Sequence, residues 1–309
     1  MVKYIAQRVF YMIITLFIIA SLTFFLMKLI PGTPFKNQAK LSPAQLEVML
    51  EKYDLDKPVP VQYVKYMTNL VQGDLGTSFQ FSNAEVTDLL MQRIGPSAQL
   101  GLQALIFGTI VGTLLGIVGA LRQNTWVDYS ATFVAVIGKS IPNFVFAGLL
   151  QYYIAVKLGW LPPAFWKGFE YTILPTIALS MFTIAITARF MRTEMIEVLS
   201  SDYITLAKAK GASYFEIAFK HAMRNALIPV ITVLGPLAVG LMTGSLVIEK
   251  IFGIPGLGEQ FVKAVMVNDY QIIMGTTLLF SFLFIVVILV VDILYGLIDP
   301  RIRLAGGKN

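Results

Sequence analysis

Six stretches of about twenty mainly apolar residues decide what this chain can fold into. They run from about Val9 to Ile30, Ala98 to Leu121, Ser130 to Val156, Thr172 to Phe190, Leu227 to Ile248 and Ile272 to Ile298. A helix crossing the hydrocarbon core of a bilayer needs roughly 20 such residues. Of the 309 residues, 56% are hydrophobic and 14% charged, well under the ~25% charged residues of soluble domains. A soluble protein of this size has too little core to hide that much apolar side chain. The expected fold class is therefore an all-α integral membrane protein with six transmembrane helices. The first run exceeds the ~7–15 apolar residues of a signal peptide. It ends in Met27-Lys28-Leu29-Ile30-Pro31-Gly32, and it reads as a retained span.

Charge sets the expected orientation. Lys3 and Arg8 precede the first span, which places its start in the cytoplasm under the positive-inside rule. With that start, the inner side holds Arg122, Arg189, Arg192, Lys208, Lys210, Lys220, Arg224, Arg301, Arg303 and Lys308 as well. The short outer loops hold only Lys157, Lys167, Lys250 and Lys263. Six spans return the C-terminus to the cytoplasm. The net charge of +6 thus belongs to membrane topology and not to a nucleic-acid surface.

Two connections are long. Residues 31–97 form a polar outer segment with two predicted helices, Ser42 to Tyr53, with Ser42 as N-cap and Pro43 in the first turn, and about Val61 to Val71. They predict a small helical cap outside the membrane. Residues 191–226 form the main cytoplasmic loop.

Within the spans, Gly108, Gly112 and Gly116 recur every four residues, a flat stripe that lets another helix approach closely. The fifth run carries Pro229, Gly235-Pro236, Gly240 and Gly244, and proline breaks of this kind are tolerated against protein or a water-filled cavity. Packing alone and a pathway lined by Pro229, Gly240 and Gly244 are both open. The third run contains Lys139-Ser140-Ile141-Pro142-Asn143. Either Lys139 snorkels to the interface, or Lys139, Ser140 and Asn143 line a pathway. Asp292, near the inner end of the last run, reads as interfacial and structural.

Several chemistries are excluded. With no cysteine and His221 as the one histidine, no thiol nucleophile, Cys-ligated zinc or histidine cluster can form, and no metal site is expected. The spans lack the chain of acids and histidines of a proton relay. No Gly-x-x-x-x-Gly-Lys-Ser/Thr loop is present to bind ATP, so an energy source would lie in another chain. An intramembrane enzyme lacks a nucleophile and base pair.

The most informative segment is Asp202 to Val230. Asp202 is placed to cap a helix from Tyr203 to Lys210, and Gly211 to end it. A second helix starts near Ser213, with Glu216 completing a capping box. Phe215, Ala218, Phe219 and Ala222 fall on one predicted apolar face. Two readings stand: an amphipathic segment on the membrane surface, and a knob that docks into the groove of a cytoplasmic partner. The second is preferred.

This segment resembles the EAA loop of ATP-binding cassette importer permeases. Aligned on Gly211, Thr205-Leu206-Ala207 stand where the general pattern has Glu-Ala-Ala, so only the second alanine matches. Features along the whole chain are more specific. Pro31-Gly32-Thr33-Pro34, YDLDKPVPVQY from Tyr53, GDLGTS from Gly73, FGIPGLGEQFVKAV from Phe252 with Asn268-Asp269-Tyr270, and YGLIDPRIR from Tyr295 resemble oligopeptide and dipeptide permeases of the B type.

The resemblance implies a type I importer fold and one permease domain over residues 1–309 of a bacterial cell membrane. It implies a homologous sister permease, two cytoplasmic ATPases that bind ATP and Mg, and an extracytoplasmic binding protein that delivers peptide. No cofactor is expected in this chain. Asp202, Tyr203, Thr205, Ala207, Lys208, Ala209, Lys210, Gly211, Ala212 and Ser213 would form the ATPase-coupling loop. The outer cap, Thr33 to Arg93, would meet the binding protein. Nickel and glutathione permeases share the resemblance, and a stand-alone channel or secondary transporter is the rival of a different class.

Overall fold

The computed structural model describes residues 2–30, 42–81, 84–242 and 245–298, with side chains from 6 to 290. Its helices are α1 (Val2–Leu29), α2 (Pro43–Lys52), α3 (Val59–Val71), α4 (Val86–Leu121), α5 (Trp126–Ser140), α6 (Asn143–Leu150), α7 (Glu170–Leu199), α8 (Asp202–Ala209), α9 (Tyr214–Glu216), α10 (Met223–Met242), α11 (Leu246–Phe252), α12 (Leu257–Met266) and α13 (Tyr270–Ile298). A π-helical turn, Gln151–Lys157, extends α6, and another, Ile217–Ala222, joins α9 to α10. Among the described residues, five helical stretches are long and apolar enough to cross a membrane, up to six when the bent pair of α5 and α6 counts as one. Pro31 to Pro34, Gly244 and the end of the YGLIDPRIR segment lie outside the described residues, as does the side chain of Asp292.

The third apolar run departs from a straight helix. It breaks at Ile141-Pro142, and its two halves are bent by 104°. The residue before a proline is pushed out of the helical region. Ile141 accordingly has φ −88° and ψ 123°, and α5 stops there.

The chain divides into two compact units, one of residues 1–95 and 256–285, the other of residues 96–255 and 286–309. The second unit is organised around α7. Two-thirds of its most apolar window is buried. Its buried side chains are mostly small or hydroxylated: Thr176, Ala178, Ser180, Thr183, Ala185, Thr187 and Ala188 among them. The glycine stripe of α4 faces this helix. A Cβ on Gly108, Gly112 or Gly116 would come within 2.7 Å of Thr183, 2.7 Å of Thr187 or 2.6 Å of Met191. Those three partners are themselves four residues apart, so two i, i+4 rows lie against one another at backbone distance. α5 approaches equally closely: a Cβ on Gly138 would stand 2.7 Å from the Met181 carbonyl oxygen, and Ala135 packs with Ala185 and Ala188.

In the first unit, α2 begins as expected. Ser42 Oγ accepts from the Gln45 N–H and the Gln45 side chain accepts from the Ser42 N–H. Segment 53–81 packs on the end of α1 through rings. Phe24 stacks on Tyr66 at 5.5 Å, and Phe25 on Tyr63 at 5.1 Å. Ser21 and Tyr63 share a 2.7 Å hydrogen bond, and Lys28 donates to Gln62. Asp269 is fully buried; it accepts from Ser78 Oγ at 2.5 Å and from the Gln80 N–H at 3.1 Å. Asp54 hydrogen-bonds Lys57 and Lys65, in that order of effect, which holds its carboxyl below the ordinary aspartate range.

Candidate docking loop and membrane cleft

The loop between α7 and α10 is a rigid double helix turn. Ser201, in extended conformation, is the N-cap of α8, and Asp202 is its first residue and not the cap. There the carboxylate still faces the positive end of the helix dipole. At the other end, the Gly211 N–H donates to the Lys208 carbonyl at 3.0 Å and the Ala212 N–H to the Ala207 carbonyl at 3.1 Å. This reciprocal pattern places its glycine in the left-handed region, and Gly211 has φ +82°. A Cβ there would meet nothing within 4 Å, so backbone conformation and not space demands the glycine. Ser213 then opens α9 with the expected box: its Oγ accepts from the Glu216 N–H at 3.3 Å and Glu216 Oε2 accepts from the Ser213 N–H at 2.9 Å.

The expected apolar face is rotated. Ala218 and Ala222 are buried, but Phe215 is 68% exposed and Ile217 takes an inward place. The π-helical turn from Ile217 changes the residues per turn, so a 3.6-residue count drifts off the true face. Ile204 and Ile217 anchor the loop in a cluster with Met191, Met195, Ala222 and Ala226. Tyr214 Oη donates to the Leu121 carbonyl at 2.9 Å, and Asn225 Nδ2 donates to Tyr203 Oη at 2.7 Å. Around this anchor, Tyr203, Leu206, Tyr214 and Phe215 stand exposed beside Thr205, Lys208, Ala209 and Lys210. Ala207 and Ala212 are half-buried, Asp202 and Ser213 exposed. The arrangement is a stiff knob with an apolar tip and basic flanks, suited to insertion into a groove.

A second feature is a cleft of about 800 Å³ between α4, α5 and α7. Lys139 and Ser140 line it, with Thr132, Arg189, Thr193 and Glu194. Lys139 sits in the last turn of α5, where the helix dipole favours a cation. The other residues expected along a pathway are not gathered there. Asn143 is half-buried at the start of α6, Pro229 is half-buried in α10, and Gly240 is exposed with open space where a Cβ would stand. Among the described residues, no cluster of three or more His, Cys, Asp or Glu could hold a metal.

The sequence did not reveal a part-buried ion pair at this cleft, between the buried Asp128 and the half-buried Arg192. Arg192 donates from Nε to Asp128 Oδ1 at 2.6 Å and from Nη2 to Oδ2 at 2.7 Å, and Asp128 is 2% exposed. Ser97 Oγ also donates to the buried Glu249 carboxylate at 2.7 Å. The members of each pair are far apart in sequence, and Asp128, Arg192 and Glu249 each stand just outside an apolar run, where nothing local names a partner.

Comparison with known proteins agrees with this architecture. Residues 112–304 match the family described as "binding-protein-dependent transport system inner membrane component", and residues 1–100 match the N-terminal family of such components. The chain is 49% identical to the dipeptide transport system permease protein DppB of Lactococcus lactis subsp. cremoris (strain MG1363), over 98% of this chain and 100% of that one. It is 42% identical to the oligopeptide transport system permease protein OppB of Salmonella typhimurium, covering 98% of this chain and all of that one. Among solved structures, an inward-facing MetNI methionine ABC transporter aligns with TM-score 0.58 at 17% identity, over 69% of this chain and 97% of that chain. That likeness establishes a type I ABC importer permease fold.

Proposed function

Because the chain belongs to the family of binding-protein-dependent transport system inner membrane components, we propose that it is a permease subunit of an ATP-driven peptide importer, forming half of the pore. The observation that carries this reading is the rigid, apolar-tipped knob at Gly211, in a chain whose full-length relatives are named dipeptide and oligopeptide permeases. A homologous sister permease forms the other half. Two cytoplasmic ATPases, which bind ATP and Mg, each grip one knob. An extracytoplasmic binding protein delivers the peptide. The proposed orientation puts both termini and the loop 191–226 in the cytoplasm and segment 31–97 outside, within one permease domain of residues 1–309.

Coupling runs through residues Asp202 to Ser213. ATP binding draws the two knobs together and opens the pore outward, and hydrolysis reverses the motion. The proposed path is lined by Lys139, Ser140 and Asn143, with Pro229, Gly240 and Gly244 of the fifth apolar run. The peptide reading, over nickel or glutathione, rests on the names of the relatives.

The test is to tag the chain, solubilise the membrane gently and identify what comes with it. A sister permease and two ATPases support the reading. Recovery of the chain alone in several mild detergents overturns it. Gly211→Asp, which forces a side chain into φ +82°, leaves insertion intact and abolishes ATP-driven uptake. Normal uptake in that variant rejects the coupling-loop assignment.

A further inference from the structure

We propose that the Asp128–Arg192 pair is the positioning element that carries displacement of the α8 loop into α5, and so into the bend at Ile141-Pro142; this rests on the importer reading above. The mechanical chain is continuous within one unit. Arg192 lies seven positions before the end of α7 at Leu199, roughly 10 Å at 1.5 Å per residue, and α8 follows at once. Asp128 lies in the first turn of α5, twelve positions, about 18 Å, before that helix stops at Ser140. The bend and the cleft residues Lys139 and Ser140 are therefore at the far end of a rod whose near end is clasped to α7.

α5 meets α7 mainly through the small residues Ala135, Gly138, Ala185 and Ala188, with Met181 set against Gly138. Small side chains let the two backbones touch, and the ion pair adds a polar clasp at one end of that seam. Sliding of packed helices is a common mode of conformational change. The fork of Arg192 on both oxygens of Asp128 fixes distance and angle together. Asp128 Oδ2 also accepts from the Asn124 N–H at 3.0 Å, so the turn leading into α5 is held by the same carboxylate. A displaced α7 then drags α5 with it.

The complete importer is reconstituted in proteoliposomes with its ATPases and binding protein, unaltered, with Arg192→Lys, and with Asp128→Asn plus Arg192→Gln. Peptide taken up per ATP hydrolysed is measured. Lysine keeps the charge and loses the fork; the neutral pair is isosteric at Asp128, shorter at Arg192, and leaves no lone buried carboxylate. In both, ATP hydrolysis is expected to stay within about twofold while uptake per ATP falls about tenfold, in the range of measured coupling effects. The chain lacks cysteine, so a spin-label pair at Glu197→Cys, exposed on α7, and Phe144→Cys, on α6 just past the bend, reads movement of the bend relative to α7. ATP changes the distance between the labels when Asp128 and Arg192 are intact, and leaves it unchanged in the variants. Uptake and hydrolysis falling in equal proportion, or unchanged uptake per ATP, overturns the proposal. Absence of ATP-dependent uptake in the unaltered assembly overturns the importer reading instead.

Discussion

α1 and α7 are both spans by length and hydropathy, yet they are held in opposite ways. The most apolar window of α1 is 11% buried and that of α7 is 67% buried. α1 exposes Phe10, Ile13, Phe17, Leu22 and Leu26, all large. α7 buries a majority of small or hydroxylated side chains (Ala, Ser and Thr), with Leu, Ile and Met between them. The more apolar helix is thus the barer one. In lipid no hydrophobic force drives helices together, so close contact of small residues does the work that large apolar side chains do in water. α1 is fixed instead near one end, by the rings and hydrogen bonds of segment 53–81.

The strongest way to break this contrast is to fill the seam. Gly112→Leu drives a side chain into Thr187 and the Ile184 carbonyl, where even a Cβ would be 2.7 and 2.8 Å away. The expected cost is about 3 kcal/mol or more, seen as loss of monodisperse protein and a lowered Tm. Gly148→Ala, with nothing within 4 Å, is the matched control and leaves both unchanged.

Next comes the polar anchoring of the first unit. Asp269→Ala removes the acceptor for Ser78 and Gln80 in a fully buried site. With about 1–3 kcal/mol for the buried Ser78 hydroxyl left without this acceptor, limited proteolysis near residues 74–81 is expected to accelerate at least severalfold. An unchanged digestion rate would show that the rings and the Ser21 and Lys28 hydrogen bonds hold the segment without Asp269.

A smaller effect tests the same region by pH. The Asp54 carboxyl is depressed when folded, by Lys57 first and Lys65 second. Its contribution is therefore complete above the ordinary aspartate value of about 3.9 and is lost as pH falls from there through the lowered folded value. Being near the surface, it is worth below about 1 kcal/mol. Asp54 has φ +54°, a region asparagine tolerates. Asp54→Asn should thus flatten stability of the segment below pH 4 without refolding the turn; a slope that persists would assign the acid sensitivity to another group. Smallest of all is Leu22→Ala on the bare flank of α1, expected to change stability by no more than the roughly ±0.5 kcal/mol of surface changes, read as a near-unchanged Tm. A larger loss would mean that α1 is packed after all.

Much of this could be read from the sequence, and the failures share a cause. The spans, the glycine stripe, the Ser42 and Ser213 caps and the Gly211 turn are local signals, written within a few residues of where they act. The bend at Ile141-Pro142 had its signal in the proline, but apolar content on both sides masked it. The π-helical turn that exposes Phe215 leaves no periodic trace. Asp128 and Arg192 were legible only as charges of unknown partner, and the cleft near them collects Lys139 and Ser140 but not Asn143, Pro229 or Gly240, because burial and facing are set by distant helices.

The same pair also imposes an order on synthesis. Asp128 leaves the ribosome 64 residues ahead of Arg192. At about 5–20 residues per second, the carboxylate waits roughly 3–13 s for its partner. During that interval the carboxylate has the Asn124 N–H but no guanidinium, and Gly108, Gly112 and Gly116 of α4 have no α7 to cover them. The two seams that α7 shares with α4 and α5 can close only once it has been made, which makes α7 the keystone of assembly in time as well as in space.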